Sequence, residues 1–120
     1  MYRVVIGEDE GDFRLWLRSA LEADNEFQVV GEATTGSEAI SLIDRLSPDL
    51  LITDVYLPDC DGFEVAQHLH SRLPDSKAIL VSAYEDRVFE RLAREEGAVA
   101  FIPKSELSVS AVVQCLQERT

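Results

Sequence analysis

Residues 49–62 read Asp-Leu-Leu-Ile-Thr-Asp-Val-Tyr-Leu-Pro-Asp-Cys-Asp-Gly, and the rest of the chain can be interpreted outward from them. The run Leu50-Leu51-Ile52 is short and apolar, which is typical of a strand that is buried on both faces. The run leads to Asp54, and Pro58 and Gly62 mark a turn-rich segment directly afterwards. A carboxylate at the end of a buried strand loses solvation, so Asp54 is expected to have compensating partners at other strand ends.

The composition indicates one soluble globular domain. The 120 residues are 46% hydrophobic and 28% charged, with no apolar run of membrane-spanning length and no secretory signal. Cys60 and Cys115 lack metal-ligand spacing, which favours reduced thiols and a cytoplasmic location. The net charge of −12 argues against nucleic-acid or anionic-membrane binding by this domain, and it fits a cation site or a basic partner.

Five short apolar segments alternate with five amphipathic helical patterns. The predicted strands are 3–7, 27–33, 49–54, 78–82 and 99–102, and the predicted helical faces are 13–21, 39–46, 63–69, 88–93 and 112–116. This alternation predicts an α/β domain, with a doubly wound parallel sheet and helices on both faces. In the strand order 2-1-3-4-5, strands 1 and 3 meet at the switch point where ligands bind.

Local signals add expectations about helix ends and the core. Asp12 and Ser108 are predicted to cap the first and last helices, with Glu10 either solvated or capping as well, and Gly97 is predicted to end the fourth. Trp16 falls within the first helical pattern and is predicted to lie in the core. His68 and His70 lie on a charged helix, where we expect them to be exposed and not to form a metal site.

Polar residues end four of the five predicted strands at one edge of the sheet: Glu8 and Asp9, Asp54, Ser82, and Lys104. Crowded carboxylates repel one another unless they share a cation, and Mg²⁺ suits a site with few protein carboxylates and open positions for phosphate oxygens. A central Asp needs no base to act as a nucleophile and can form an acyl phosphate. Lysine and a serine hydroxyl can hold phosphoryl oxygens. The pattern therefore predicts phosphoryl transfer onto Asp54.

Over essentially its whole length the chain resembles the receiver domains of two-component response regulators. The resemblance rests on Glu8-Asp9, Asp54 followed by Pro58 and Gly62, Ser82-Ala83, Gly97-Ala98, Phe101 and Lys104. The segments 30–33 and 101–105 are most similar to receivers joined to LuxR-type DNA-binding domains. The resemblance implies a flavodoxin-like fold, with residues 1–120 forming one receiver domain.

The resemblance also implies a metal site. Asp54 would accept phosphate from a partner histidine kinase, and Glu8, Asp9 and Asp54 would hold Mg²⁺ together with the backbone carbonyl of Tyr56. The first acid is Glu8 where Asp is commoner in the family, so its contact with Mg²⁺ is expected to run through water.

By the same resemblance, Ser82 and Lys104 would bind the phosphoryl group. Phe101 would be the switch aromatic, following Ser82 inward and reshaping the surface of helix 4, strand 5 and helix 5. Phe101 lacks the hydroxyl of a tyrosine, so no hydrogen bond can hold it outward. The resemblance further allows for a homodimer on phosphorylation.

The leading hypothesis is a signalling switch that catalyses only its own phosphoryl transfer and dephosphorylation. Two rival functions remain beside it. The first rival is a Mg²⁺-dependent phosphatase with an Asp nucleophile, which needs a second acid two residues after that Asp. Tyr56 occupies this position, which argues against the phosphatase. A protein-interaction module that has lost phosphorylation is disfavoured because Asp54, Ser82 and Lys104 are all present. Because the 120 residues end with the fifth helix, we expect either a stand-alone receiver or the front of a longer transcriptional regulator.

Overall fold

The computed structural model describes residues 1–84 and 87–117. Its parallel strands are β1 (Tyr2–Gly7), β2 (Phe27–Ala33), β3 (Leu50–Asp54), β4 (Lys77–Ser82) and β5 (Ala100–Pro103). The helices are α1 (Gly11–Glu22), α2 (Gly36–Leu46), α3 (Gly62–Arg72), α4 (Arg87–Glu95) and α5 (Val109–Gln117), with one 3-10 turn at Lys104–Glu106. The strand order is β2-β1-β3-β4-β5, which confirms the predicted fold.

All five residues of β3 are buried, because this strand lies at the centre of the sheet between two hydrophobic cores. Successive side chains of a strand point to opposite faces. Leu50 and Ile52 accordingly pack in the core beneath α1 and α5, whereas Leu51 packs in the core beneath α2 and α3. The apolar run that predicted this strand therefore supplies both cores, and it carries Asp54 to the carboxyl edge of the sheet.

Two predictions about α1 are wrong. The cap is Glu10, whose Oε1 accepts a hydrogen bond from the Phe13 amide at 3.1 Å, and Asp12 lies inside the first turn. Trp16 is 46% exposed, because the buried stripe of the helix runs through Leu17 and Leu21. One residue along a helix is a rotation of about 100°, which turns Trp16 away from the core.

The other helix-end predictions are confirmed. Gly97 follows α4 with a φ of +87°, a left-handed conformation that favours glycine. The Ser108 hydroxyl accepts a hydrogen bond from the Ala111 amide at 3.0 Å at the start of α5.

The histidine prediction is only half right, since His70 is exposed but His68 is half-buried. The Nε2 atom of His68 lies 2.8 Å from Oδ1 of Asp44, because α2 packs alongside α3. None of the helices in the described ranges has the length and apolar character that a membrane span requires.

Candidate functional site

Asp54 is the last residue of β3, and its side chain is held by two polar contacts. The residue is only 7% exposed. Its Oδ1 accepts a hydrogen bond from the Tyr56 amide at 2.9 Å, and its Oδ2 lies 2.9 Å from Nζ of Lys104. The following backbone is fixed as well, because the Gly62 amide donates to the carbonyl of Val55 at 2.7 Å. The carboxylate is therefore presented at the sheet edge in a defined orientation.

Glu8 follows β1 and is almost completely buried, at 1% exposure. Its Oε2 accepts a hydrogen bond from the Glu10 amide at 3.0 Å. Its Oε1 accepts no aligned hydrogen bond, and its charge is met by the Lys104 ammonium at 2.9 Å. Burial raises the pKa of the Glu8 carboxyl, and the contact with Lys104 opposes that rise. This carboxylate oxygen is therefore suited to a further cationic partner.

Asp9 is exposed and completes a group of three acids with Glu8 and Asp54. One carboxylate oxygen from each residue lies within 4.8 Å of the other two. Three carboxylate oxygens at this spacing fit a hard cation such as Mg²⁺. The described residues thus bring the three predicted acidic ligands together at one place.

Lys104 directly follows β5, and its side chain reaches from the end of that strand into the pocket. Its side chain is 16% exposed and bridges Glu8 and Asp54. Burial works to lower the pKa of the Lys104 ammonium, but the ion pairs with Asp54 and Glu8 outweigh it and raise that pKa. Its ammonium also lies 4.4 Å from the centre of the Phe13 ring, a contact that the sequence reasoning missed. The one sequence signal for this contact was that Phe13 lies four residues after Asp9, at the start of the helix that follows the acidic pair.

Ser82 and Phe101 lie on the neighbouring strands, outside the Glu8–Lys104–Asp54 ion-pair group. Ser82 is fully buried at the end of β4, and its hydroxyl oxygen accepts a hydrogen bond from the Tyr84 amide at 3.1 Å. Phe101 is half-buried in β5, and its ring lies 5.6 Å from that of Phe89 in α4. The structure therefore places Ser82 at the carboxyl edge of the sheet and Phe101 two residues before the end of β5.

An aromatic cluster runs from the rim of the site to β5; we use this name for Tyr56, Tyr84, Phe89 and Phe101. The Tyr56 and Tyr84 rings meet edge to face at 6.0 Å, and Tyr56 lies 5.8 Å from Phe89. The two tyrosines remain 53% and 67% exposed. Phe89 is therefore the member that connects the tyrosines at the rim to Phe101.

The loop after Asp54 is fastened to α2 by Asp59, which sequence reasoning also missed. The Asp59 carboxylate accepts hydrogen bonds from the amides of Gly36 at 2.6 Å and Ser37 at 3.0 Å. The Ser37 and Gly36 amides lower the pKa of Asp59, because they stabilise its charged form. A methyl group added to Gly62 would overlap the carbonyl oxygen of Asp54, so this loop is also closely packed on the end of β3.

The fold and the pocket define a doubly wound α/β domain with an acidic site at its switch point. The family model described as response regulator receiver domain matches residues 4–116, so the chain belongs to that family. It is thus the receiver domain of a two-component response regulator. The resemblance inferred from the sequence motifs is confirmed.

Curated relatives of the chain are named as transcriptional regulators. A putative transcriptional regulator of Pseudomonas aeruginosa is 36% identical, over 88% of this chain and 51% of that protein. The probable transcriptional regulatory protein NarL of Mycobacterium tuberculosis is 33% identical, over 98% of this chain and 56% of that protein. The chain spans about half the length of these relatives.

Solved structures agree with this assignment. The signal receiver domain of the putative response regulator NarL from Mycobacterium tuberculosis superimposes with a TM-score of 0.89 at 33% identity, covering 98% of each chain. Receiver domains generally bind Mg²⁺ at an acidic pocket, and Glu8, Asp9 and Asp54 form such a pocket here. Receivers of transcriptional regulators are typically not enzymes, although one relative is named protein-glutamate methylesterase/protein-glutamine glutaminase 1.

Proposed function

We propose that this chain is a phosphorylation-controlled switch in which Asp54 accepts a phosphoryl group from a histidine kinase in the presence of Mg²⁺. The observation that carries the proposal is the position of Lys104, 2.9 Å from both Glu8 and Asp54 in a pocket of three acids. The output is control of transcription through a DNA-binding domain outside these residues. Residues 1–120 form the receiver, which acts in the cytoplasm and binds neither nucleic acid nor membrane itself.

In the proposed reaction, one carboxylate oxygen of Asp54 attacks the phosphorus of the kinase phosphohistidine. An O–P bond forms while the N–P bond breaks, and the imidazole nitrogen leaves with the bonding electron pair and takes a proton from solvent. The carboxylate is already the nucleophilic form, so the receiver needs no general base. The hydrogen bond from the Tyr56 amide orients the carboxylate for this attack.

Lys104 and Ser82 are proposed to bind the transferred group. The Lys104 ammonium exchanges its contact with an Asp54 carboxylate oxygen for one with a phosphoryl oxygen, and the Ser82 hydroxyl donates a second hydrogen bond. Mg²⁺, held by Glu8, Asp9, Asp54 and the Tyr56 carbonyl, would supply positive charge to the phosphoryl oxygens when bound.

The proposed switch passes from Ser82 to Phe101 and then to the surface formed by α4, β5 and α5. When the Ser82 hydroxyl turns to the phosphoryl group, Phe101 moves inward and loses its packing against Phe89, which lies in α4. The contact of 5.6 Å between these rings supports the proposal, because it joins β5 directly to α4. The altered surface would also allow two phosphorylated copies to form a homodimer.

The first experiment tests phosphorylation with acetyl phosphate and Mg²⁺, followed by intact mass measurement. We expect one acid-stable, base-labile phosphate on the wild-type chain and none on Asp54→Ala. Asp12→Asn is the matched control, because Asp12 is an exposed acid outside the pocket, and it should be labelled like the wild type. Equal labelling of Asp54→Ala would show that another residue is the acceptor.

The second experiment tests metal binding by thermal unfolding, without any phosphodonor. Saturating Mg²⁺ should raise the melting temperature, because it binds the native pocket and not the unfolded chain. The Asp9→Asn/Asp54→Asn double variant should show no such rise. An equal rise in both proteins would remove this metal site. An interaction module that has lost phosphorylation would show neither the metal effect nor the labelling.

A further inference from the structure

The Lys104 ammonium has an aromatic neighbour in addition to its two carboxylates. It lies 4.4 Å from the centre of the Phe13 ring and 2.9 Å from an oxygen of each acid, Glu8 and Asp54. The lysine side chain is 16% exposed, and Phe13 is half-buried. The ring therefore limits the positions available to an ammonium that is already largely removed from water.

The backbone ties Phe13 to the same pocket. The Phe13 amide donates to Oε1 of Glu10 at 3.1 Å, and the Glu10 amide donates to Oε2 of Glu8 at 3.0 Å. The Phe13 ring packs against Trp16 with ring centres 5.5 Å apart. The start of α1 thus holds the ring in a fixed place relative to Glu8, the carboxylate that pairs with Lys104.

An aromatic face and a carboxylate interact with the lysine ammonium in different ways. The negative face of the ring attracts the ammonium without offering a lone pair, so it does not compete with phosphoryl oxygens for the N–H donors. During phosphoryl transfer Lys104 must exchange one oxygen partner for another. The contact with Phe13 can persist through that exchange and keep the ammonium at the pocket.

We infer that Phe13 is a positioning residue that holds the Lys104 ammonium for phosphoryl transfer to Asp54. The inference rests on the proposed function, and it assigns a role in that reaction to a side chain outside the acidic pocket. Phe13 contacts the lysine and not the reacting atoms, so its loss should slow the reaction without abolishing it.

The rate of phosphorylation by acetyl phosphate, at saturating Mg²⁺, tests the inference. Phe13→Leu keeps the apolar bulk and removes the aromatic face, and we expect it to react about three- to tenfold more slowly than wild type. Phe13→Tyr keeps the face and should react at nearly the wild-type rate. Tyr2→Leu is the matched control, since Tyr2 is a half-buried ring stacked on Phe27 at the opposite end of β1.

A second measurement needs no phosphate. In wild type the methylene protons next to Nζ of Lys104 should show an upfield ring-current shift by NMR, which Phe13→Tyr and Tyr2→Leu keep and Phe13→Leu loses. Phe13→Met repeats the comparison if Phe13→Leu folds poorly. Equal rates for Phe13→Leu and wild type, or an unchanged shift, would overturn the inference. Failure of wild type to label Asp54 would instead refute the proposed function, and the shift would still report whether Phe13 holds Lys104.

Discussion

The helices α3 and α4 cover the same face of the sheet but are held to it very differently. The fully buried positions of α3 are Gly62, Val65, Ala66 and Leu69. Within Arg87–Glu95, α4 fully buries only Ala93, and Phe89 and Leu92 are half-buried. Elements with few buried apolar contacts open most easily. The difference indicates that α3 is more firmly packed on the sheet than α4, and the proposed switch needs α4 to be the helix that moves.

Ion pairs do not make up for the small apolar contact of α4. Arg94 lies 3.4 Å from Glu90, and Arg91 lies 3.9 Å from Glu95, with all four side chains at least 59% exposed. Exposed pairs of this kind contribute about 0.3–0.5 kcal/mol at most when they are spaced four residues apart on a helix. Because they join residues of the same helix, they also do not attach α4 to the sheet.

Truncating one leucine in each helix should give the largest contrast. Leu69 is 1% exposed, so Leu69→Ala should lower the free energy of unfolding by about 3 kcal/mol, through lost burial and a cavity. Leu92 is only half-buried, so Leu92→Ala should cost about 1 kcal/mol. Urea unfolding of the two variants measures both values. Equal losses would mean that α4 is as firmly packed as α3.

Gly97 should show the next largest effect, because it lies where the end of α4 approaches α3. It follows α4 with a φ of +87°, and a methyl group there would lie 2.9 Å from Cγ of His70 in α3. Gly97→Ala should lower the free energy of unfolding by about 1–2 kcal/mol, since a Cβ is disfavoured in this conformation. Gly97→Asn should cost less, because Asn tolerates the left-handed region.

The contribution of His70 can be separated in urea unfolding by the Gly97→Ala/His70→Ala double variant. Removing the imidazole should recover part of the loss and leave the backbone part. Full recovery would show that the contact between the helices, and not the left-handed conformation, sets the cost.

The smallest expected effect is the pH dependence of the stability that Asp59 contributes from the loop before α3. The pKa of Asp59 is lowered in the folded chain by the amides of Ser37 and Gly36. Its stabilising contribution is therefore complete above the ordinary Asp pKa of about 3.9 and is lost as the pH falls through the lower folded-state value. Asp59→Asn should be less stable than wild type at pH 7, and the difference should shrink towards pH 3. A difference independent of pH would show that the carboxylate charge plays no part.

Much of the site could be predicted because parallel strands bring their carboxyl ends to one edge. Once a common doubly wound strand order was assumed, the apolar run before Asp54 and the polar residues after the other strands were enough to predict the edge at which the site lies. They also brought Glu8, Asp9, Asp54 and Lys104 together. Strand periodicity and crossover handedness hold whatever the details of packing, so these conclusions needed only the order of residues.

Side-chain partners across the domain could not be read in this way. Asp59 bonds the amide of Gly36, 23 residues earlier in the chain, and Phe13 meets Lys104 from the other end of the chain. Trp16 lies on the solvent side of α1 because a rotation of one position moves a residue off the buried stripe. Such contacts depend on how each helix is rotated and placed on the sheet. The placement of each helix is set by close packing of the whole core. That packing depends on many residues from distant parts of the chain at once, so no local sequence pattern specifies it.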